Sequence, residues 1–438
     1  MIVLAAFVVL LAFARDTTFR YDDWDFVANR ALGDLPSLLR PYNDEWITVP
    51  AIVYRLVFGW FGLSSYLPYL AVTVAAHLLS ADRLRALITA VAGPRSGLAF
   101  GVVFLFLGTA GEVLNQAIGF GVVFPVALGI WAMDQVLVRN HAVRGAGLLL
   151  VASACHPIGM VFLAAITLVS VGSNRVLAAL LGTWIFVAWW ALVFEVGAAA
   201  GRSGSLPGGL AAIPAFVVVG LLAAFSAVVG LSLPAGVGVA LAVGAAAMRR
   251  HRGPAHARVF SAAVLGLLGE FALIGLLRWE YGVGIAAASR YLEAAAAFLL
   301  IALAAWFGPA LERTITRDRR SGAFATGVVV ALVVVNLGWY AAYRSDAARA
   351  VHETRAAVAI LGRQPGLESW GLDLYLPQPS RLRDLIRRYG TPTRDALMPA
   401  VVPKVPPAIA AEMCTITVPS EPIPTCVAWI DADVGQGD

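Results

Sequence analysis

Two carboxylate clusters and one late arginine hold most of the chemistry that this sequence offers. The clusters are Tyr21-Asp22-Asp23-Trp24 and Asn43-Asp44-Glu45-Trp46; the arginine belongs to Ser289-Arg290-Tyr291-Leu292-Glu293. Adjacent carboxylates point in different directions on any regular element. Asp22 and Asp23 therefore divide roles: one can take a proton while the other orients or binds. An aspartate works as a general base where burial or a neighbour brings its pKa towards the working pH. The competing reading is structural, because DDWDFVANRAL has the pattern of a short helix with acids in its first turn, Asp25 above all.

Asp44 and Glu45 can contact an acceptor or help hold a divalent cation, which needs several oxygen ligands. A tight turn closed by Asn or Asp accounts for them equally well. Arg290 has the planar fork of donors that suits a phosphate, and Tyr291 follows it. A bridge to Glu293 three residues on, or a side chain reaching along apolar surface to water, are the alternatives. Arg278, in Arg278-Trp279-Glu280-Tyr281, ends the preceding apolar run and can add a second cation.

Residues 15–50 form a long polar stretch in an otherwise apolar region, with seven carboxylates and four arginines interleaved with Tyr21, Trp24, Tyr42 and Trp46. Trp and Tyr favour the water–lipid boundary, so this reads as a loop held at a membrane surface. The remaining composition says why a membrane is near. Of 438 residues, 60% are hydrophobic and 13% charged, against roughly 25% charged in soluble domains; the mean hydropathy is +0.79. Apolar runs of about 20 residues span a bilayer. Candidate spans fall near 66–88, 97–111, 119–138, 146–171, 176–196, 211–231, 235–249, 257–278, 289–308 and 323–343. With residues 1–14, a first helix or a signal peptide, they predict an all-α polytopic membrane protein of about 11 transmembrane helices, within a range of 10–12. Residues 47–62 read as an interfacial helix. The sequence has no P-loop, no GxSxG, no CxxC and no His/Cys metal spacing, which weighs against nucleotide-driven and hydrolase chemistry.

Placing residues 15–50 outside puts the basic clusters 139–144, 249–258 and 312–320 inside, as the positive-inside rule asks. Cys155-His156-Pro157 interrupts 146–171, and proline breaks helices. Two half-spans there would expose the 249–253 cluster, so the charge pattern favours one span. Residues 1–343 then form the membrane domain and 344–438 a second, extracytoplasmic region, in which Cys414 and Cys426 can pair. Within the spans, Glu270, Glu195, Asp134 and His77 are ionisable and are expected to face protein or water.

An early span, an outer loop that opens with Tyr21-Asp22-Asp23-Trp24, surface helices and then many spans together resemble the GT-C superfamily of membrane glycosyltransferases. Protein O-mannosyltransferases and aminoarabinose transferases belong to it. The stretch from Leu38 to Leu79 is similar to actinobacterial members, and Ser289-Arg290-Tyr291 is similar to the Arg-Tyr at the outer end of a late span in that family. Asn43-Asp44-Glu45 stands where many members have a histidine, and 344–438 resembles no domain of the family. The resemblance implies a polyprenyl-phosphate-linked sugar as donor and an acceptor hydroxyl activated by Asp22 or Asp23. It implies a phosphate held by Arg290, and the outer face of the cytoplasmic membrane as the place of reaction. No cofactor is implied beyond a divalent cation as an option. A flippase for lipid-linked precursors and a non-catalytic scaffold of the same fold are the other readings.

Overall fold

The computed structural model describes residues 2–14, 17–19, 22–42, 45–194, 206–230, 254–317, 319–364, 366–368, 370, 376–390, 392, 405–418 and 421–435. Among them the protein is helical without strands, as expected of an all-α membrane protein. Helix α1 is Ile2–Ala14, and the polar stretch after it holds α2 (Asp23–Ala28) and α3 (Leu35–Leu39). The bundle follows with α4 (Thr48–Phe61), α5 (Leu67–Ala92), α6 (Pro94–Leu105), α7 (Gly111–Leu114), α8 (Phe120–Met133), α9 (Ala142–Ser153), α10 (Pro157–Val169), α11 (Asn174–Val193), α12 (Leu206–Val229), α13 (Pro254–Arg278) and α14 (Ser289–Arg317). Helix α15 (Arg319–Arg363) leaves the bundle, and α16 (Pro379–Tyr389), α17 (Pro407–Thr417) and α18 (Ile423–Gly435) complete the chain.

Six helices are long and apolar enough to cross a membrane among the described residues, or seven if the bent pair 94–105 and 108–114 is one span. This falls short of 11 for identifiable reasons. Helix α1 is short, α5 carries Asp82, Arg83 and Arg85, and 235–249 lies outside the described residues.

The run 146–171 is not one span, and the expectation drawn from charge is corrected here. Pro157 has no N–H to continue α9 and instead opens α10, where His156 accepts a bond from the Ile158 amide at 3.3 Å. A side chain at Gly159 would stand 2.2 Å from the Ala152 backbone, so only glycine lets α10 start so close to α9. Thr183 of α11 donates to the Ala146 carbonyl, and Trp184 beside it donates to the Thr167 hydroxyl, both at 3.1 Å. Early α9 and late α10 therefore meet the same level of α11: the two arms form a hairpin with residues 154–156 at its tip. Helix α11 consequently runs in the direction opposite to that expected. Its Trp190 reaches the Leu39 carbonyl at 3.1 Å and stacks on Trp46 at 4.9 Å. The 249–253 cluster lies outside the described residues.

Two apolar cores result. One fills the helix bundle. The other joins Phe19, Trp24, Phe26, Tyr54 and Phe58 of the N-terminal region to Ile360, Leu382, Met413 and Ile430 of the C-terminal region. The described residues of 344–438 are thus packed onto the first loop rather than set apart from it. Helix α15 supplies the link: at about 1.5 Å per residue, its 45 residues carry the chain from the far end of the bundle to this second core. A disulfide between Cys414 and Cys426 ties α17 to α18.

Candidate active site

The first loop is shaped by Arg30, a residue to which the sequence assigned no role. It is buried, pairs with Asp25 at 3.2 Å, and donates to the Ser37 and Arg40 carbonyls at 2.6 Å each and to Pro41 at 3.3 Å. Burial lowers the Arg30 pKa, and the Asp25 carboxylate opposes that shift. Asp25, expected to serve the helix start, uses its carboxylate on Arg30 and on Asn29 at 2.8 Å. Trp24 and Trp46 are buried as well; they seal the loop to the protein rather than to lipid. Two backbone bonds between Tyr42 and Glu45, at 2.8 and 3.1 Å, close a tight turn that aims Glu45. Asp44 lies outside the described residues.

A cavity of about 740 Å³ opens at this end of the bundle. Asp22, Tyr42, Glu45, Glu112, His156, Arg278, Arg290 and Tyr291 line it, with Tyr281 and Tyr343 adding aromatic surface. The structure therefore brings five of the sequence-derived residues together: Asp22, Glu45, Arg278, Arg290 and Tyr291. Asp22 is half-buried and accepts a hydrogen bond from the Tyr42 hydroxyl. Arg290 is exposed into the cavity, 3.7 Å from Glu112, and feels the charges of both Glu112 and Asp22. Ser289 donates to Glu112. The bridge from Arg290 to Glu293 does not form; Glu293 instead lies 2.9 Å from His77 inside the bundle. Arg278 stands 3.4 Å from Glu45, whose other oxygen is 3.3 Å from His156.

Asp23 is the sequence-derived residue that the cavity excludes. It is wholly buried, takes the Tyr66 hydroxyl, and accepts the Ile118 amide at 3.2 Å. Tyr66 in turn accepts the Ala117 amide at 2.7 Å. Asp23 therefore fastens α2 to the short turn at 117–119, whose Ile118 and Gly119 line the cavity; it positions the site without touching what binds there.

Glu112, His156 and Tyr42 were missed from sequence. Glu112 had a signal, since it is a carboxylate just past a span that ends on the loop's side. In sequence His156 marks only a helix break. No cluster of three or more His, Cys, Asp or Glu arranged to hold a metal occurs among the described residues, and Glu45 is already engaged by Arg278 and His156. The arrangement offers one carboxylate oriented by a phenol, facing two guanidiniums that are each tethered by a carboxylate. Comparison with protein-family models, with curated proteins and with solved structures finds no match for the chain.

Proposed function

We propose that this protein is a glycosyltransferase of the GT-C type, which moves a sugar from a polyprenyl-phosphate donor to an acceptor hydroxyl. The observation that carries the reading is the convergence of Asp22, Arg290 and Arg278 on one cavity of about 740 Å³, within the several hundred Å³ usual for small-ligand sites. Asp22, oriented by Tyr42, accepts the proton of the acceptor hydroxyl. The hydroxyl oxygen bonds to the anomeric carbon as the bond from that carbon to the phosphate oxygen breaks. The polyprenyl phosphate leaves with the added negative charge, which Arg290 and Arg278 offset. A single displacement of this kind inverts the anomeric centre.

The reading places the cavity and the C-terminal region outside the cytoplasmic membrane. The Cys414–Cys426 disulfide supports that side, since disulfides persist in oxidising compartments.

The test is transfer from a labelled polyprenyl-phosphate sugar by the full chain in proteoliposomes. Asp22→Asn is expected to lower the rate on the order of 10²–10⁴-fold, the usual worth of a general base, with folding retained. Turnover within twofold of the parent removes Asp22 as the base, and no transfer by the parent itself leaves the scaffold reading.

A flippase is the second reading, favoured by Glu270. It is buried in α13, and neither of its carboxylate oxygens has a hydrogen-bond partner; intramembrane acids of this kind often mark transport paths. Loss of lipid translocation in Glu270→Gln, with transfer absent in the parent, selects that reading.

A further inference from the structure

The junction of α4 and α16 carries features that the cavity does not use. Helix α4 exposes Leu56, Trp60 and Phe61 near its end, with Trp60 83% exposed. Helix α16 has the sequence PSRLRDLIRRY, starts at a proline and stops at Gly390 in the left-handed region. It buries Pro379, Leu382 and Leu385 and leaves Arg387 and Arg388 exposed. The two helices meet closely. The Leu63 amide donates to the Tyr389 carbonyl at 3.0 Å, and the Tyr389 ring lies 4.5 Å from Phe58. Gly62 sits between them at φ 55, where any side chain would come 2.8 Å from that carbonyl.

This contact builds a ladder of alternating charge and ring. Arg55 lies over Phe58 at 4.7 Å, Phe58 packs on Tyr389, and Arg388 lies over Tyr389 at 5.2 Å. The two guanidinium charges are near enough to feel one another. Arg55 donates to a neutral group, the Val27 carbonyl, at 2.9 Å. Among the described residues neither Arg55 nor Arg388 forms an ion pair. Arg387 reaches Asp384 only at 3.9 Å, with both side chains largely exposed, a contact worth little in water.

We propose that this junction binds the headgroup of an anionic phospholipid, with Arg388, Arg387 and Arg55 facing the phosphate and Leu56, Trp60 and Phe61 entering the boundary layer. Three guanidiniums without a strong counter-ion call for an anion, and a largely bare tryptophan beside them calls for an amphipathic one. The position along the chain selects lipid over a soluble partner. The start of α4 lines the cavity through Ile47 and Pro50, and α5 packs into the second core at Tyr69 and Leu70 and into the bundle core from Val74, so Trp60 and Phe61 stand where the chain passes from surface to interior. Lipid bound here braces α16, and through it the C-terminal region, against the first loop.

The experiment uses the full chain in nanodiscs of phosphatidylcholine, alone or mixed with phosphatidylglycerol. The thermal midpoint is expected to rise with phosphatidylglycerol. Arg387→Gln with Arg388→Gln is expected to remove at least half of that rise and leave the midpoint in phosphatidylcholine unchanged; Arg387→Lys with Arg388→Lys keeps most of it. Native mass spectrometry reads the same site apart from stability, as a fall in phosphatidylglycerol retained by the Gln pair. An undiminished rise or equal retention in that pair overturns the proposal. So does an equal rise when inorganic phosphate is added to phosphatidylcholine discs, which marks a free-anion site.

Discussion

The cavity end of the bundle and its interior treat their carboxylates in opposite ways. At the cavity, Asp22 takes a phenol, Glu45 bridges Arg278 and His156, and Glu112 takes Ser289 and faces Arg290. In the interior, Glu293 satisfies one oxygen on His77 and leaves the other bare, and Glu270 satisfies neither. Partners hold a charge in a fixed direction, and catalysis needs that order before the substrate arrives. A carboxylate without partners is a cost to the fold instead. The difference marks the cavity as the prepared region, although both regions hold the same residue types.

The largest effect on this contrast is expected at Arg30. Arg30→Ala leaves Asp25 without its cation and three loop carbonyls without a donor. Breaking a buried pair of this kind costs about 3–5 kcal/mol, a large share of ordinary folding stability. Thermal or denaturant unfolding in detergent checks it, and a loss under 1 kcal/mol shows that the loop is held by its aromatic packing instead. A smaller effect is expected at Arg290, where lysine keeps the charge and loses the fork. Arg290→Lys is expected to raise the KM for the lipid-phosphate donor about tenfold, or about 1.4 kcal/mol, with unfolding unchanged. An unchanged KM moves the phosphate to Arg278.

Asp23 sharpens the contrast from within the loop. Asp23→Asn keeps the shape and leaves one acceptor oxygen for the two donors Tyr66 and Ile118, at an expected cost of about 1 kcal/mol of stability. Transfer by the folded protein should fall only a few-fold, far less than in Asp22→Asn. Equal loss in the two variants contradicts the division between a reacting Asp22 and a bracing Asp23. Pairing their pH–rate profiles with unfolding curves separates the two roles, since only a reacting group moves the former without the latter.

Much of the cavity was legible because its residues mark the ends of apolar runs and one polar loop. Asp22 and Asp23 could not be told apart, since their sorting depends on Tyr66 and the 117–118 turn, both remote in sequence. Arg30 was silent for a different reason: beside Asp25 its partners are loop carbonyls, which every residue has. The break at Pro157 is legible too, but the positive-inside pattern argues for a single span there, because two half-spans would expose the 249–253 cluster. Local chemistry prevailed there. Proline removed an N–H, Gly159 allowed close approach, and the chain turned back to place His156 at the cavity.

The smallest effect belongs to the interior and separates the two functional readings most cleanly. Glu270 lines a narrow slot between α10 and α13 that also touches Glu45, His156 and Arg278. If the carboxyl does no work, an apolar residue of similar size removes a burial cost and breaks no bond. Replacing buried charged groups by packed apolar ones is often neutral or stabilising, so Glu270→Leu is expected to leave stability unchanged or raise it by about 1 kcal/mol, with transfer intact. Unfolding midpoints and transfer rates on the same preparation check both halves. A stable variant that has lost function would mean that the slot takes part in the reaction or carries a substrate, and the prepared region would then extend from the cavity into the bundle. A destabilised variant would mean that Glu270 has a partner in the membrane, and the contrast between the two regions would narrow to the half-satisfied Glu293.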